Sequence, residues 1–398
     1  MNTTTERQVP GTALKGQYFP VLTGVRAIAA YMVFLSHDNP FNSVGPKSLF
    51  HDGLFHFFSA LSIGVSVFFV LSGFLITVRY EQNIELSWKW ARRYLQNRVA
   101  RIYPMYFLVT IATLIGTIIN AGYDPSRLWK FYNLKDKFLV VFLNLTFLRG
   151  FFDRYRFTMA GQGWSLTVEE CFYLSAPFLL LGLRRNRWRL VFYPVMLFGI
   201  GILLVAVGSN FPGQLLGFFG SVKFMLDWTF FGRCLEFLAG MGMALYLRKY
   251  PVQEKKGGLI TVLGIIWMAL CMGAICFFER NTPYATAVWH MDNYSSFLVR
   301  NAILPGGIVL FLWGLLHEQN WMRRILETPL FDLLGKSSYS FYLIHVGVLD
   351  FLLNDYITHN ILGKFIIINL VAILLYRFVE HPMHLLLRVQ PKLSLNSD

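Results

Sequence analysis

Residues 259–278 read LITVLGIIWMALCMGAICFF, twenty consecutive positions without a charge. As a helix rising about 1.5 Å per residue this stretch is roughly 30 Å long, the thickness of a bilayer's hydrocarbon core. Phe297 to Leu316 and Ile361 to Val379 are nearly as apolar and as long. Over all 398 residues, 55% of side chains are hydrophobic and 15% are charged, whereas an ordinary soluble domain carries about 25% charge. The pattern predicts an all-α polytopic membrane protein with about ten transmembrane helices, near 20–37, 58–78, 102–120, 165–183, 190–208, 229–247, 258–278, 298–316, 338–353 and 361–379. Phe138 to Leu148 is apolar but reaches only about 16 Å, so it is expected to be re-entrant or interfacial.

Charge placement supports that choice. Lys and Arg concentrate in short cytoplasmic loops. With ten crossings and the N-terminus inside, Arg92, Arg93, Arg98, Arg101, Arg184, Arg185, Arg187, Arg189, Lys255 and Lys256 all fall on the cytoplasmic side. An eleventh crossing at 138–148 moves the Arg184 to Arg189 cluster outside. Both termini are therefore expected in the cytoplasm, with tails at 1–19 and 381–398 around one transmembrane domain at 20–380. The net charge of +14, which in a soluble chain suggests nucleic acid, is accounted for by topology, and no nucleic-acid partner is expected. Residues 1–17 lack the order of a signal peptide. The four cysteines sit in apolar stretches, and neither a paired-cysteine nor an HExxH pattern occurs, so neither a disulfide framework nor a metal site is expected.

Ionisable residues inside spans cost a few kcal/mol each and mark functional candidates. The first span has two, Arg26 and His37. Eleven residues separate them, about 16 Å of rise and three turns plus about 20°, so they share one helix face. The alternative is a snorkelling arginine and a histidine at the interface. Span four opens WSLTVEECFY (164–173) and carries Glu169 and Glu170 about one turn in, nearly at the depth of His37. Adjacent carboxylates diverge by about 100°, so one faces the bundle cavity and the other a neighbouring helix. His345 falls midway along span nine, and an interhelical hydrogen bond is its ordinary reading. Arg233, Arg300 and Asp350 read as interfacial charges. Arg98 and Arg101, three apart, share a face if their helix begins early, a spacing suited to clamping phosphate, or they are simple topology signals. Gly64 and Gly73 predict close helix packing.

Together these segments resemble the acyltransferase-3 family of integral membrane O-acyltransferases over about residues 18–384. The resemblance is carried by YFPVLTGVRAIAAYMVFLSH (18–37), GVSVFFVLSGFLIT (64–77), RVARIYPMYF (98–107), WSLTVEECFY, RCLEFLAG (233–240), SYSFYLIH (338–345) and FVEHP (378–382). It implies ten spans in the bacterial cytoplasmic membrane and transfer of an acyl group, commonly acetyl, from cytoplasmic acetyl-CoA to a hydroxyl of a carbohydrate or glycan. By position it makes His37 the catalytic histidine, Arg26 its partner, and Arg98 with Arg101 the basic motif for the acyl-CoA co-substrate. Many relatives have Asp where this chain has Ser66. In the mechanism expected, His37 acts as general base, oriented by Glu169 or Glu170, with an acyl-His37 intermediate as the alternative. A transporter or flippase for a saccharide or lipid-linked precursor is the competing function.

Overall fold

The computed structural model describes residues 18–42, 48–211, 215–280 and 294–389. Residues 1–17 of the expected N-terminal tail and 390–398 of the expected C-terminal tail thus lie outside the described residues. Nine helical stretches among those described are long and apolar enough to cross a membrane. Helix α1 (Pro20–His37) starts on a proline, whose missing N–H is one that no helix start can use. Helices α2 (Leu49–Ala60) and α3 (Gly64–Tyr80) are fused through a 3-10 turn, Leu61–Ile63. Helix α4 (Trp88–Ile119) begins where the Ser87 hydroxyl accepts from Trp90 N at 3.2 Å. Its 32 residues extend about 48 Å, well beyond the hydrocarbon core. Its first turns therefore stand clear of the apolar layer and put Arg98 and Arg101 on the same helix as span three.

Helix α5 (Leu134–Leu145) has only 12 residues, about 18 Å, in keeping with a segment that does not cross. Then come α6 (Trp164–Arg185), α7 (Arg189–Asn210), the short α8 (Val222–Trp228), α9 (Phe230–Lys249), α10 (Leu259–Arg280), α11 (Tyr294–Leu298), α12 (Leu304–His317), α13 (Trp321–Leu326), α14 (Pro329–Ile344), α15 (Val348–Tyr356), α16 (Ile361–Leu375) and α17 (His381–Leu387). A π-turn, Tyr376–Glu380, fuses α16 to α17, so the last crossing runs to Leu387, past the expected limit at 379.

The ninth expected span, 338–353, is not one helix. It breaks at 345–347 between α14 and α15, where Gly347 has φ +108°, a conformation that L-side chains rarely adopt. Carbonyls freed by a break inside a membrane protein need partners. The Gln162 amide supplies them, with Nε2 donating to Leu343 O and, at 3.4 Å, to Val346 O.

Small residues set the packing. A Cβ on Gly73 would overlap the Phe237 carbonyl of α9, and one on Gly240 the Val70 carbonyl of α3. On the other flank a Cβ on Gly64 would overlap the Ala29 carbonyl, so α1 is drawn onto α3 as the glycine spacing predicts. Close approach of this kind, rather than expulsion of water, binds helices in lipid. Phe69, Phe172 and Phe237 fill the junction of α3, α6 and α9, with stacked centroids 4.7 and 4.4 Å apart.

Residues 121–163 fold over one end of the bundle around two buried charges. Asp124 accepts from Leu128 N and Trp129 N at 3.2 Å and Met159 N at 3.1 Å. Arg149 donates to Asn144 Oδ1 at 2.7 Å and to the carbonyls of Thr158 and Ala160.

Arg233 and Asp350, expected as interfacial charges, each face an opposite charge within the protein. Arg233 is 5% exposed and pairs with Glu236 through two bonds of 2.7 Å, Nε to Oε2 and Nη2 to Oε1, while Nη2 also donates to Ser66 Oγ at 3.0 Å. Asp350 forms an ion pair with buried Lys364, Oδ1 to Nζ 2.5 Å. Arg300, half-buried, pairs with Glu279. A charge near a helix end is drawn inward when a complementary group on another turn or helix faces it.

Candidate active site

His37 closes the last turn of α1 and His345 caps the C-terminus of α14. The helix break brings them together. His37 Nδ1 lies 2.9 Å from His345 Nε2, and His345 Nδ1 lies 2.7 Å from the Tyr342 carbonyl. A carbonyl only accepts, so His345 Nδ1 carries a proton, and a neutral His345 then presents Nε2 as acceptor. His37 must therefore donate from Nδ1. Its Nε2 is left with a free lone pair, the form a base or nucleophile requires. His345 is fully buried, whereas His37 is exposed to a cavity.

Next to this pair, Lys364 Nζ bridges Asp38 and Asp350. Two carboxylates around one ammonium carry one net negative charge, and Asp38 directly follows His37 in the chain. A positive charge forming on the imidazole is favoured by such a neighbour.

A cavity of about 310 Å³ opens between α1, α3, α4, α6 and α14, lined by Arg26, Arg79, Arg98, Arg101, Ser72, Glu169, Ser165 and Tyr342. Four guanidiniums face one carboxylate. The Arg98 guanidinium lies 5.6 Å from the ring centroids of both Tyr80 and Tyr173, and Nη2 donates to Tyr80 OH at 3.4 Å. Glu169 is held by Ser72 Oγ at 2.5 Å and by Tyr173 OH.

A second cavity, of about 540 Å³, lies under the 121–163 segment and is lined by His37, Gln162, Trp164, Arg154, Arg156 and Val346 among others. A hydrogen-bonded partition of Gln162, Ser165 and Tyr342 touches both cavities. Gln162 lines the second and Ser165, one turn on, the first; Tyr342 OH bonds both Ser165 Oγ at 2.8 Å and Gln162 O at 3.2 Å.

The expected residues thus divide between two chambers. Arg26, Arg98, Arg101 and Glu169 share the basic chamber, and His37 lies in the other. Glu169 is the carboxylate that faces a cavity. Glu170 is half-buried, and among the described residues it neither lines that cavity nor makes a hydrogen bond. Neither glutamate holds the imidazole as expected. Helix α6 begins only at Trp164, so Glu169 lies about 7.5 Å down its axis, while His37 is the last residue of α1. The imidazole is held by His345 instead. Sequence reading passed over Arg79, which resembled one more topology arginine, and Lys364, although a lone lysine in ILGKFIIINLVAILL (361–375) carries the signal of an ionisable residue in a span. Gln162 and Tyr342 gave no signal.

The bundle thus holds one arginine-lined cavity and one lined by His37. The family model described as "Acyltransferase domain" matches residues 19–378, and the chain belongs to that family, acyltransferase-3. It is a membrane protein of that family. A Staphylococcus aureus (strain COL) protein named "Putative O-acetyltransferase SACOL0978" is 26% identical over 92% of this chain and 58% of its own length. Bacillus subtilis (strain 168) "Putative peptidoglycan O-acetyltransferase YrhL" is 25% identical over 92% of this chain and 55% of its own. The chain therefore spans little more than half of these relatives. "Acyltransferase MdmB" of Streptomyces mycarofaciens is 27% identical over 83% of this chain and 79% of its own length. No solved structure matches.

Proposed function

We propose that the protein transfers an acyl group, acetyl in the first instance, from cytoplasmic acyl-CoA to a hydroxyl of a carbohydrate or glycan acceptor, with His37 Nε2 as general base. The observation that carries this reading is the chain of contacts from Tyr342 O through His345 to His37 Nδ1, which supports a free Nε2 lone pair on the histidine that lines the second cavity. The S. aureus and B. subtilis relatives named as O-acetyltransferases support the choice of acetyl and of a hydroxyl acceptor.

Coenzyme A is polyanionic and is made in the cytoplasm. Arg79, Arg98 and Arg101 supply charge-assisted donors for its phosphates. The pantetheine arm passes Arg26 and Glu169 toward the Ser165 and Tyr342 partition. At the partition the acceptor oxygen attacks the thioester carbon and its proton passes to His37 Nε2. The C–S bond then breaks, and the departing thiolate takes the proton from the imidazolium. The net negative charge of Asp38, Lys364 and Asp350 favours that transient cation. Both termini lie on the cytoplasmic side in this arrangement, in the bacterial cytoplasmic membrane.

Purified full-length protein in detergent is expected to release thiol from acetyl-CoA only when a hydroxyl acceptor is present. Vectorial movement of saccharide in vesicles without thiol release would instead identify a transporter. Arg98→Gln and Arg101→Gln are each expected to raise the KM for acetyl-CoA by roughly ten-fold to a hundred-fold, the worth of a charged hydrogen bond, and to leave the KM for acceptor unchanged. Equal effects on both substrates, or none, remove those arginines from the donor site.

A further inference from the structure

The histidine chamber has a charge balance that acyl transfer to a neutral alcohol does not require. Its volume, about 540 Å³, suits a small ligand or the end of a larger one. Two arginines enter it. Arg156 is spent on Asp153, and its guanidinium lies 4.7 Å from the Phe157 centroid. Arg154 is different. It is exposed, lies 5.6 and 6.0 Å from the Tyr155 and Tyr132 ring centroids, and has no carboxylate partner among the described residues.

The surrounding segment repeats the asymmetry. Residues 121–163 carry seven Lys and Arg against three Asp, at the end of α4 remote from Arg98 and Arg101. Loops on the non-cytoplasmic side are ordinarily poor in Lys and Arg, so a basic surplus there is retained against the topological trend. Arg149 is used inside the fold, but Arg154 faces the chamber that His37 lines. Trp164 and Phe157 supply apolar walls, and Gln162 Oε1 is buried without a partner. Aromatic walls with a few polar groups are what orients a sugar ring.

We infer that the histidine chamber receives an anionic saccharide, its carboxylate or phosphate paired with Arg154 while one hydroxyl reaches His37. A guanidinium already stacked on two rings loses little freedom in forming a forked pair with such an anion. The inference rests on the acyl-acceptor reading of this chamber, and it names the chemical class of acceptor. Neutral glycans make the same aromatic contacts but lack the anchor.

Binding, rather than turnover, separates the two claims. Full-length protein in detergent is titrated with three fluorescent tetrasaccharides of one backbone: a uronic acid form, its carboxyl-reduced neutral form, and that neutral form phosphorylated. Each is measured on the wild type and on His37→Ala, with no acyl donor present. Both proteins are expected to bind at least one anionic form ten-fold or more tighter than the neutral one, the preference shrinking as salt is raised. Arg154→Gln is expected to abolish the preference, whereas Lys130→Gln, with the same loss of charge on the same segment, keeps it. Equal affinity for all three forms, no binding of any, or a preference that survives in Arg154→Gln overturns the inference. Loss of the base role of His37 in turnover assays leaves this binding result untouched, so the two fail separately.

Discussion

His37→Ala is expected to lower the rate of acceptor-dependent thiol release by about 10²–10⁴-fold, the contribution of a positioned general base, with acetyl-CoA binding unchanged. The binding half follows from the geometry, because Arg26, Arg79, Arg98 and Arg101 lie in the chamber that His37 does not line. His345→Ala is expected to lose less, about ten-fold, since it frees His37 to take the wrong tautomer without removing the base. His345→Gln restores part of that loss, because an amide can accept from His37 Nδ1 and donate to the Tyr342 carbonyl. The readout is kcat for each variant, with a single monodisperse species by size exclusion as the test of folding. More than a tenth of wild-type activity in His37→Ala defeats the assignment. Radiolabelled acetyl retained on the wild type without acceptor, and absent from His37→Ala, makes the same nitrogen a nucleophile rather than a base.

The second large effect concerns the Arg233 and Glu236 pair, which is structural. Breaking a buried ion pair by removing one partner costs about 3–5 kcal/mol, because a desolvated charge is left behind. The two halves differ in sign of escape. Arg233→Gln leaves a carboxyl that can take up a proton and become neutral, whereas Glu236→Gln leaves a guanidinium that cannot lose one. Glu236→Gln is therefore expected to be the more damaging, lowering the yield of folded protein and its melting temperature in detergent. Ser66 provides the rescue. It already accepts from Arg233 Nη2 at 3.0 Å, so Ser66→Asp in the Glu236→Gln background returns a carboxylate to the same guanidinium and is expected to recover most of the loss. No recovery means that Arg233 is held by shape rather than by charge.

Several of these features were legible in residue order. Arg26 and His37 share a face because eleven residues is about three helical turns, and α1 is unbroken between them. Gly64 and Gly73 foretold the close contacts of α3. The twelve residues of α5 were too few to cross. Arg98 and Arg101 entered one cavity because α4 begins at Trp88, early enough to carry both on a helix. Other features were not. A histidine at the end of α1 needed a partner, and Glu169 had the right chemistry at the wrong depth. Its true partner lies 308 positions away, beyond a helix break that Gly347 permits and Gln162 satisfies.

Residue order alone revealed most of the long apolar helices, the placement of basic residues along the chain, and which side chains share a face within an unbroken helix, because rise and rotation along one helix are set by local geometry. Three-dimensional packing was needed to show which helices are neighbours, that His345 rather than a glutamate contacts His37 Nδ1, and that Arg233 pairs with Glu236 and Ser66. In lipid every apolar face resembles every other, so helix order in space is chosen by a few small-residue contacts and buried polar pairs whose two halves lie far apart in the chain.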